Sequence, residues 1–298
     1  MKMNKSASLI CALITTFIWG TAFIAQDTGM DNIGPLTFNS ARFFVGFIFM
    51  LPVALIIERK KIIPEINSNK KLFFKYYMFM GVSLFLGTSL QQAALQYTNI
   101  ANAAFFTIFY VPIVPILLFF FYKIKVHWSI WPSIVMCIVG VYLLSNFSDS
   151  QIMLGDALVI LCSLFWALHI IFAGKFMKKF DLPIFYASLQ SIFVFFLSII
   201  AAYVFEEIDI QKILLEYSSI LYAGILSGGV AFTLQMYAQK NIDEAPAAII
   251  YSLEGVFAAL AGWIILNQIL NLDNIIGCLL ILFAVILSQI APSALKKV

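Results

Sequence analysis

Long apolar stretches separated by short polar connectors make up almost the whole chain. They fall at about residues 7–26, 34–57, 73–95, 101–122, 127–146, 154–174, 183–205, 217–239, 245–266 and 273–291. Each is close to the roughly 20 residues that an α-helix needs to cross a bilayer. The pattern predicts an all-α integral membrane protein with ten transmembrane helices. A transmembrane barrel would instead alternate apolar and polar positions in segments of about ten residues. The connectors leave no room for a soluble domain. The opening Met1-Lys2-Met3-Asn4-Lys5 reads as the flank of the first helix, because similar segments recur to the end and no clear cleavage site follows.

Basic residues give the orientation. Of the 18 Lys and Arg residues, all but Arg42 and Lys212 fall at the N-terminus, in or beside alternate connectors, or in the tail. They include Lys5, Arg59, Lys61, Lys123, Lys178, Lys240 and Lys296. The intervening connectors carry Lys212 beside Glu206, Glu207, Asp209 and Glu216. Positive charge accumulates on the cytoplasmic side, so both termini are expected there, in the cytoplasmic membrane. Glu206-Glu207 reads as a solvated stretch of an external loop.

Composition narrows the class. The chain has 298 residues, 62% of them hydrophobic and 11% charged, with a mean hydropathy of +0.98. A soluble chain carries about 25% charged residues. This one could not cover a water-facing surface, which excludes a soluble enzyme and a disordered regulator. The net charge of +3 is too small to argue for nucleic acid. Cys11, Cys137, Cys162 and Cys278 are isolated within apolar runs and read as small packing residues rather than a disulfide or metal framework. The chain shows none of the standard phosphate-loop, nucleophile-elbow or metalloprotease motifs. No enzyme activity, cofactor or metal is expected.

The two halves resemble each other. Phe165-Trp166-Ala167 echoes Ile18-Trp19-Gly20. Ala238-Gln239-Lys240-Asn241 echoes Ala94-Leu95-Gln96-Tyr97 at an offset of 144 residues, which also pairs Gln91 with Gln235 and Tyr110 with Glu254. Five helices per half is an odd number, so the second half must enter the membrane from the opposite side. The expected division is a first repeat over 1–148 and an inverted second repeat over 149–298. Inverted repeats are a signature of secondary transporters, with the substrate near the midplane at the repeat interface.

On these residues the chain resembles the EamA-type branch of the drug/metabolite transporter superfamily. The resemblance is carried by Phe17-Ile18-Trp19-Gly20-Thr21, Pro35-Leu36-Thr37-Phe38 with Ala41-Arg42-Phe43, Ala94-Leu95-Gln96-Tyr97-Thr98 with Ala103-Ala104, and Ser252-Leu253-Glu254 with Gly262-Trp263. It implies two five-helix repeats around a central cavity and transport of small organic solutes without ATP hydrolysis. Export of an amino acid or related amphiphilic solute is the default it suggests. The chain departs from the family at Gly255, where a proline is usual, and at Gln268 after Asn267, where an acid is usual.

Charged groups inside hydrocarbon are costly and mark function by default. Glu254 sits about nine residues into the ninth predicted helix, near the midplane. It could couple protons, bind an amino or cationic group, or be a structural carboxylate bonded to a neighbouring helix or to Arg42. Arg42 could anchor a substrate carboxylate; its preferred reading is a structural charge with Asp27 as partner. Polar and aromatic residues on helical faces complete a candidate substrate site. They are Trp19, Phe23, Gln91, Gln92, Asn102, Phe106, Tyr110, Trp166, His169, Gln235, Tyr251 and Glu254. Each glutamine alone could equally be interhelical glue. As a set they outline a cavity with a few polar handles in an aromatic wall. The expected partners are a small-molecule substrate, the lipid bilayer and protons. Two rivals are import of a cationic or vitamin-like solute, favoured by cation–π contact, and an intramembrane lipid-handling protein or enzyme. The last needs polar groups at one interface, whereas here they lie near the midplane.

Overall fold

The computed structural model describes residues 4–98, 100–145, 154–266 and 269–295. Lys2, the expected repeat boundary at 148/149, Asn267-Gln268, Lys296 and Lys297 lie outside them. All regular structure among the described residues is helical. The elements are α1 (Lys5–Thr28), α2 (Pro35–Ile57), α3 (Arg59–Ser68), α4 (Lys70–Ala94), α5 (Ile100–Thr107), α6 (Tyr110–Tyr122) and α7 (Ile130–Ser145). The second half holds α8 (Leu154–Met177), α9 (Pro183–Phe205), α10 (Ile210–Leu215) and α11 (Tyr217–Leu221). A π-helix (Tyr222–Ala231), α12 (Phe232–Ala238), α13 (Glu244–Tyr251), α14 (Leu253–Leu266) and α15 (Leu272–Leu295) follow.

Eight segments are long and apolar enough to cross a membrane, and Ile130–Leu144 is a shorter apolar helix. α4 has the length, at 25 residues, but carries Lys70, Lys71 and Lys75 near its start and Gln91 and Gln92 near its end.

Helix starts follow local chemistry. The Asn4 side chain accepts from the Ala7 N–H at 2.8 Å. Pro35 and Pro183 occupy the first positions of α2 and α9, where a missing N–H costs nothing. The free N–H groups of α2 are met by the other half. Glu206, directly after α9, accepts from Leu36 N and Thr37 N, both at 2.8 Å. Glu58, directly after α2, accepts in turn from Ile184 N at 3.1 Å and Phe185 N at 2.8 Å, at the start of α9. Each of these packed helices therefore caps the other. This corrects the reading of Glu206 as merely solvated: its oxygens fill a backbone site that no local residue serves. Glu206→Ala should cost about 1 kcal/mol, with an upper range near 2, as for lost helix caps. Thermal melts in detergent would check it, with Glu207→Ala unchanged.

Two predicted crossings are interrupted rather than continuous. The fourth breaks at Ile108-Phe109, between α5 and α6. Pro112 lies just beyond and cannot donate back into the preceding turn. The ninth breaks at Ser252, between α13 and α14, where the Ser252 hydroxyl donates to the Ile249 carbonyl at 2.7 Å. Ile108 and Ser252 are repeat partners at the 144-residue offset. The breaks put Tyr110 and Glu254 in the first turns after them. Broken helices in apolar surroundings are tolerated where they line a cavity.

Packing repeats in the same way. α2 lies along α9, α7 along α15, and α4 along α8, with α1 on the π-helix and α12 as its counterpart. α1 also lies along α14, as α8 lies against α5 and α6. At the α7–α15 crossing the backbones nearly touch. A methyl at Gly277 would sit 2.4 Å from the Gly140 carbonyl oxygen. At the α1–α14 crossing, a methyl at Gly20 would sit 2.6 Å from the Glu254 carbonyl oxygen. Absence of a side chain at Gly20 is what lets the Glu254 turn approach α1.

Candidate functional site

A cavity opens where α1, α2, α4, α5, α6, α8, the π-helix, α12, α13 and α14 converge. Its empty volume, out to its mouth, is about 540 Å³. Eight of the residues expected from the sequence line it: Trp19, Phe23, Gln91, Tyr110, Trp166, Gln235, Tyr251 and Glu254. They arrive from seven helices, so no local stretch of sequence contains the site.

Aromatic rings form one wall. Trp19 and Trp166 face each other at 6.2 Å between centroids. Phe232 meets Trp19 edge-on at 5.3 Å and lies nearly parallel to Trp166 at 6.3 Å. Tyr251 meets Trp19 edge-on at 5.6 Å. Such edge-on and offset pairs are the favoured geometries of quadrupolar rings.

Polar groups occupy the rest. The Tyr110 hydroxyl donates to Glu254 Oε1 at 3.4 Å, joining the two repeat partners. Arg42 also lines the cavity. Its Nε donates to Asn39 Oδ1 at 2.8 Å and its Nη1 to Gln26 Oε1 at 3.0 Å. Phe43 and Phe38 flank the guanidinium at 5.0 and 5.6 Å. The expected partner Asp27 is not used. The residue facing Arg42 from α1 is Gln26, one position earlier. Among the described residues neither Arg42 nor Glu254 forms an ion pair. The cavity therefore holds one cationic and one acidic side chain, each held by neutral groups.

Four expected residues lie outside the lining. The Gln92 amide donates to the Gln26 carbonyl at 2.8 Å and anchors α4 to α1. Gln239 does the same for the other half, donating to the Ile170 carbonyl at 2.8 Å. His169 stands behind the wall, with Nε2 3.0 Å from Gln190 Oε1 and its ring edge-on to Trp166 and Phe232. Phe106 packs edge-on against Phe105 and Phe109, and Asn102 is buried on α5. Helical spacing grouped these four with the lining residues, because it fixes a face but not what that face meets.

Gln26, Thr88, Thr107, Ile170, Ser227 and Phe232 complete the lining. Of these, only Gln26 carries a sequence signal, since it shares a helical face with Trp19 and Phe23 at i, i+4, i+7 spacing. Phe232 had no distinguishing signal among 30 phenylalanines.

Ion pairs gather at the lysine-rich end. Asp181, between α8 and α9, bonds both Lys61 of α3 and Lys240 after α12. Lys178 bonds Asp243 at 2.9 Å and Glu244 at 3.2 Å. Burial alone would raise the Asp181 carboxyl, but the hydrogen bonds and charges of Lys240 and Lys61 outweigh it and hold it below its usual range.

Both halves of the chain match the model of the EamA-like transporter family, over residues 6–146 and 153–289. An uncharacterized transporter of Archaeoglobus fulgidus is 32% identical, with 94% of this chain and 85% of that protein covered. The uncharacterized transporter YoaV of Bacillus subtilis is 23% identical, covering 94% and 96%. A WAT1-related protein of Arabidopsis thaliana is 24% identical, covering 95% and 89%. A protein of known crystal structure shares the fold with a TM-score of 0.80 at 14% identity, covering 98% of this chain and all of that one.

Proposed function

The chain belongs to the EamA-like transporter family and is a multi-pass membrane transporter, and on that premise we propose that it exports an amino acid or related zwitterion by proton-coupled alternating access. Ten crossings, cytoplasmic termini, location in the cytoplasmic membrane and two inverted units divided at 148/149 are parts of the same reading.

One observation carries it. Arg42 and Glu254 line one aromatic cavity and, among the described residues, neither is in an ion pair. Charges in a membrane interior persist when something answers them. A zwitterion answers both: its carboxylate suits the Arg42 guanidinium and its ammonium suits Glu254. The aromatic wall suits an apolar or planar side chain. A lone cation fits less well. Glu254 and the rings would welcome it, but Arg42 faces the same space.

Protons enter through Glu254. Protonated, it no longer holds the ammonium; ionised, it does. A carboxylate that trades a proton for a substrate couples the two flows without any other machinery. The Asp181 latch supplies the closing contact at the lysine-rich end. It joins α3 of the first half to the connectors of the second, so opening that end must break it.

Proteoliposomes test the reading. Labelled L-amino acids should exchange across the membrane, and an imposed pH gradient should accelerate their net movement. Absence of amino-acid exchange, or net movement indifferent to the gradient, would overturn it.

The latch makes a separate prediction. A carboxyl held below its ordinary range contributes stability above the unfolded-state value, near 3.9, and loses it as pH falls through the lower folded value. Half-exposed pairs contribute about 0.2–1 kcal/mol each. Asp181→Asn should therefore lower the melting temperature slightly at pH 7, and the difference should vanish in strong acid. An equal deficit at pH 7 and at pH 2 would show that the pairs do not stabilise the protein.

A further inference from the structure

The repeat relates two pairs of residues in the cavity that end in different chemical states. Gln91 and Thr107 of the first half correspond, at the same 144-residue offset, to Gln235 and Tyr251 of the second. In the first half the pair is closed. The Gln91 amide donates to the Thr107 hydroxyl at 2.9 Å, and that hydroxyl donates on to the Ala103 carbonyl at 2.7 Å. In the second half the pair is open. Among the described residues, neither the Gln235 amide oxygen nor its nitrogen has a hydrogen-bond partner, and neither has the Tyr251 hydroxyl. Both side chains are fully buried and both line the cavity. The indole N–H of Trp166, in the same wall, is also unpartnered.

Buried polar groups are paired in more than nine cases in ten, and leaving them unpaired is costly. Other buried polar atoms among the described residues also lack partners, Gln92 Oε1 and His169 Nδ1 among them, but Gln235, Tyr251 and Trp166 line one cavity with Trp19 and Phe232. A primary amide offers an acceptor next to a donor on one planar edge. Its complement is another planar edge with a donor next to an acceptor. Carboxamides and ureides carry that edge, and flat groups lie well against aromatic rings.

We propose that Gln235 and Tyr251 read the substrate's side chain, and that the transported zwitterion carries a carboxamide or ureide group there. The inference rests on the reading of the cavity as a substrate site in which Arg42 and Glu254 hold the carboxylate and the ammonium. Gln235 is then the specificity-determining residue. Its repeat partner Gln91 is withdrawn from recognition because Thr107 occupies it.

Matched amino acids test this with the charged ends held constant. The purified full-length protein in nanodiscs is titrated with L-glutamine and L-citrulline, and with L-methionine, which has similar length and no amide. Glutamine and citrulline should bind about tenfold or more tightly than methionine, the value of one well-made hydrogen bond to a buried group. Gln235→Leu should erase that preference while retaining methionine binding. Gln235→Glu, close in shape but lacking the N–H donor, should weaken glutamine about tenfold and leave methionine nearly unchanged; it keeps the test open if the leucine variant does not fold. Equal binding of glutamine and methionine, both weakened by Arg42→Leu, would overturn this inference and leave the zwitterion reading standing. Failure of all three amino acids to bind would overturn both.

Discussion

Glu254→Gln is expected to abolish transport driven by a pH gradient while leaving passive exchange of substrate measurable. The amide keeps the shape and can still accept from the Tyr110 hydroxyl, now 3.4 Å from Glu254 Oε1. What it cannot do is exchange a proton. It also loses the charge that would hold an ammonium group, a contact of about 1.5–3 kcal/mol, or roughly 10–100-fold in affinity. Two readouts therefore separate. Counterflow at equal pH should persist at higher substrate concentration, and the acceleration by an imposed gradient should disappear. A Glu254→Gln protein that still concentrates substrate against a pH gradient would remove Glu254 from the coupling. Glu254→Ala is the less clean variant, because it opens a hole where α14 crosses α1 beside Gly20.

Arg42→Leu should cost a similar amount, but only for ligands with a carboxylate. The guanidinium is fixed by Asn39 and Gln26 and flanked by Phe38 and Phe43. These neutral partners orient it without neutralising it. Loss of a charge-assisted contact predicts roughly 10–100-fold weaker binding of an amino acid. The corresponding amine, which lacks the carboxylate, should bind the variant no worse than the wild type. Arg42→Lys should recover only part of the loss. A lysine keeps the charge but cannot reproduce the planar fork that meets Asn39 and Gln26 together. Equal weakening of acid and amine in Arg42→Leu would instead mark the residue as purely structural.

Much of the architecture could be read along the chain, because membrane partition depends on local sums of hydrophobicity and charge. The helical class and the approximate extents of the apolar helices follow from such sums, and the duplication shows as matching residues at a fixed offset. Interruptions were harder. Pro112 hints at the break before α6, whereas Ser252 carries no comparable signal for the break before α14. Repetition at a fixed offset was the usable clue, since Tyr110 and Glu254 pair by number alone. The π-helix had only its glycines, Gly224, Gly228 and Gly229, to suggest it. The Glu58 and Glu206 caps had none, because each acts on a helix start in the other half of the chain.

The candidate site divides the same way. Trp19, Trp166, Gln235, Tyr251 and Glu254 were visible as polar or aromatic residues in apolar runs, and they do meet. Gln92 and His169 looked identical to them in the sequence, yet they lie outside the lining, with Gln92 Nε2 bonded to the Gln26 carbonyl and His169 Nε2 to Gln190. Composition and periodicity by themselves determined that this is a duplicated helical membrane protein, and they singled out a cation and an acid, Arg42 and Glu254, that the fold buries. Which polar groups line the cavity, and which are turned into the packing behind it, only the tertiary structure decided. The reason is range. A hydrogen bond is settled within about 3 Å, between helices whose approach depends on glycines and breaks far apart in the chain.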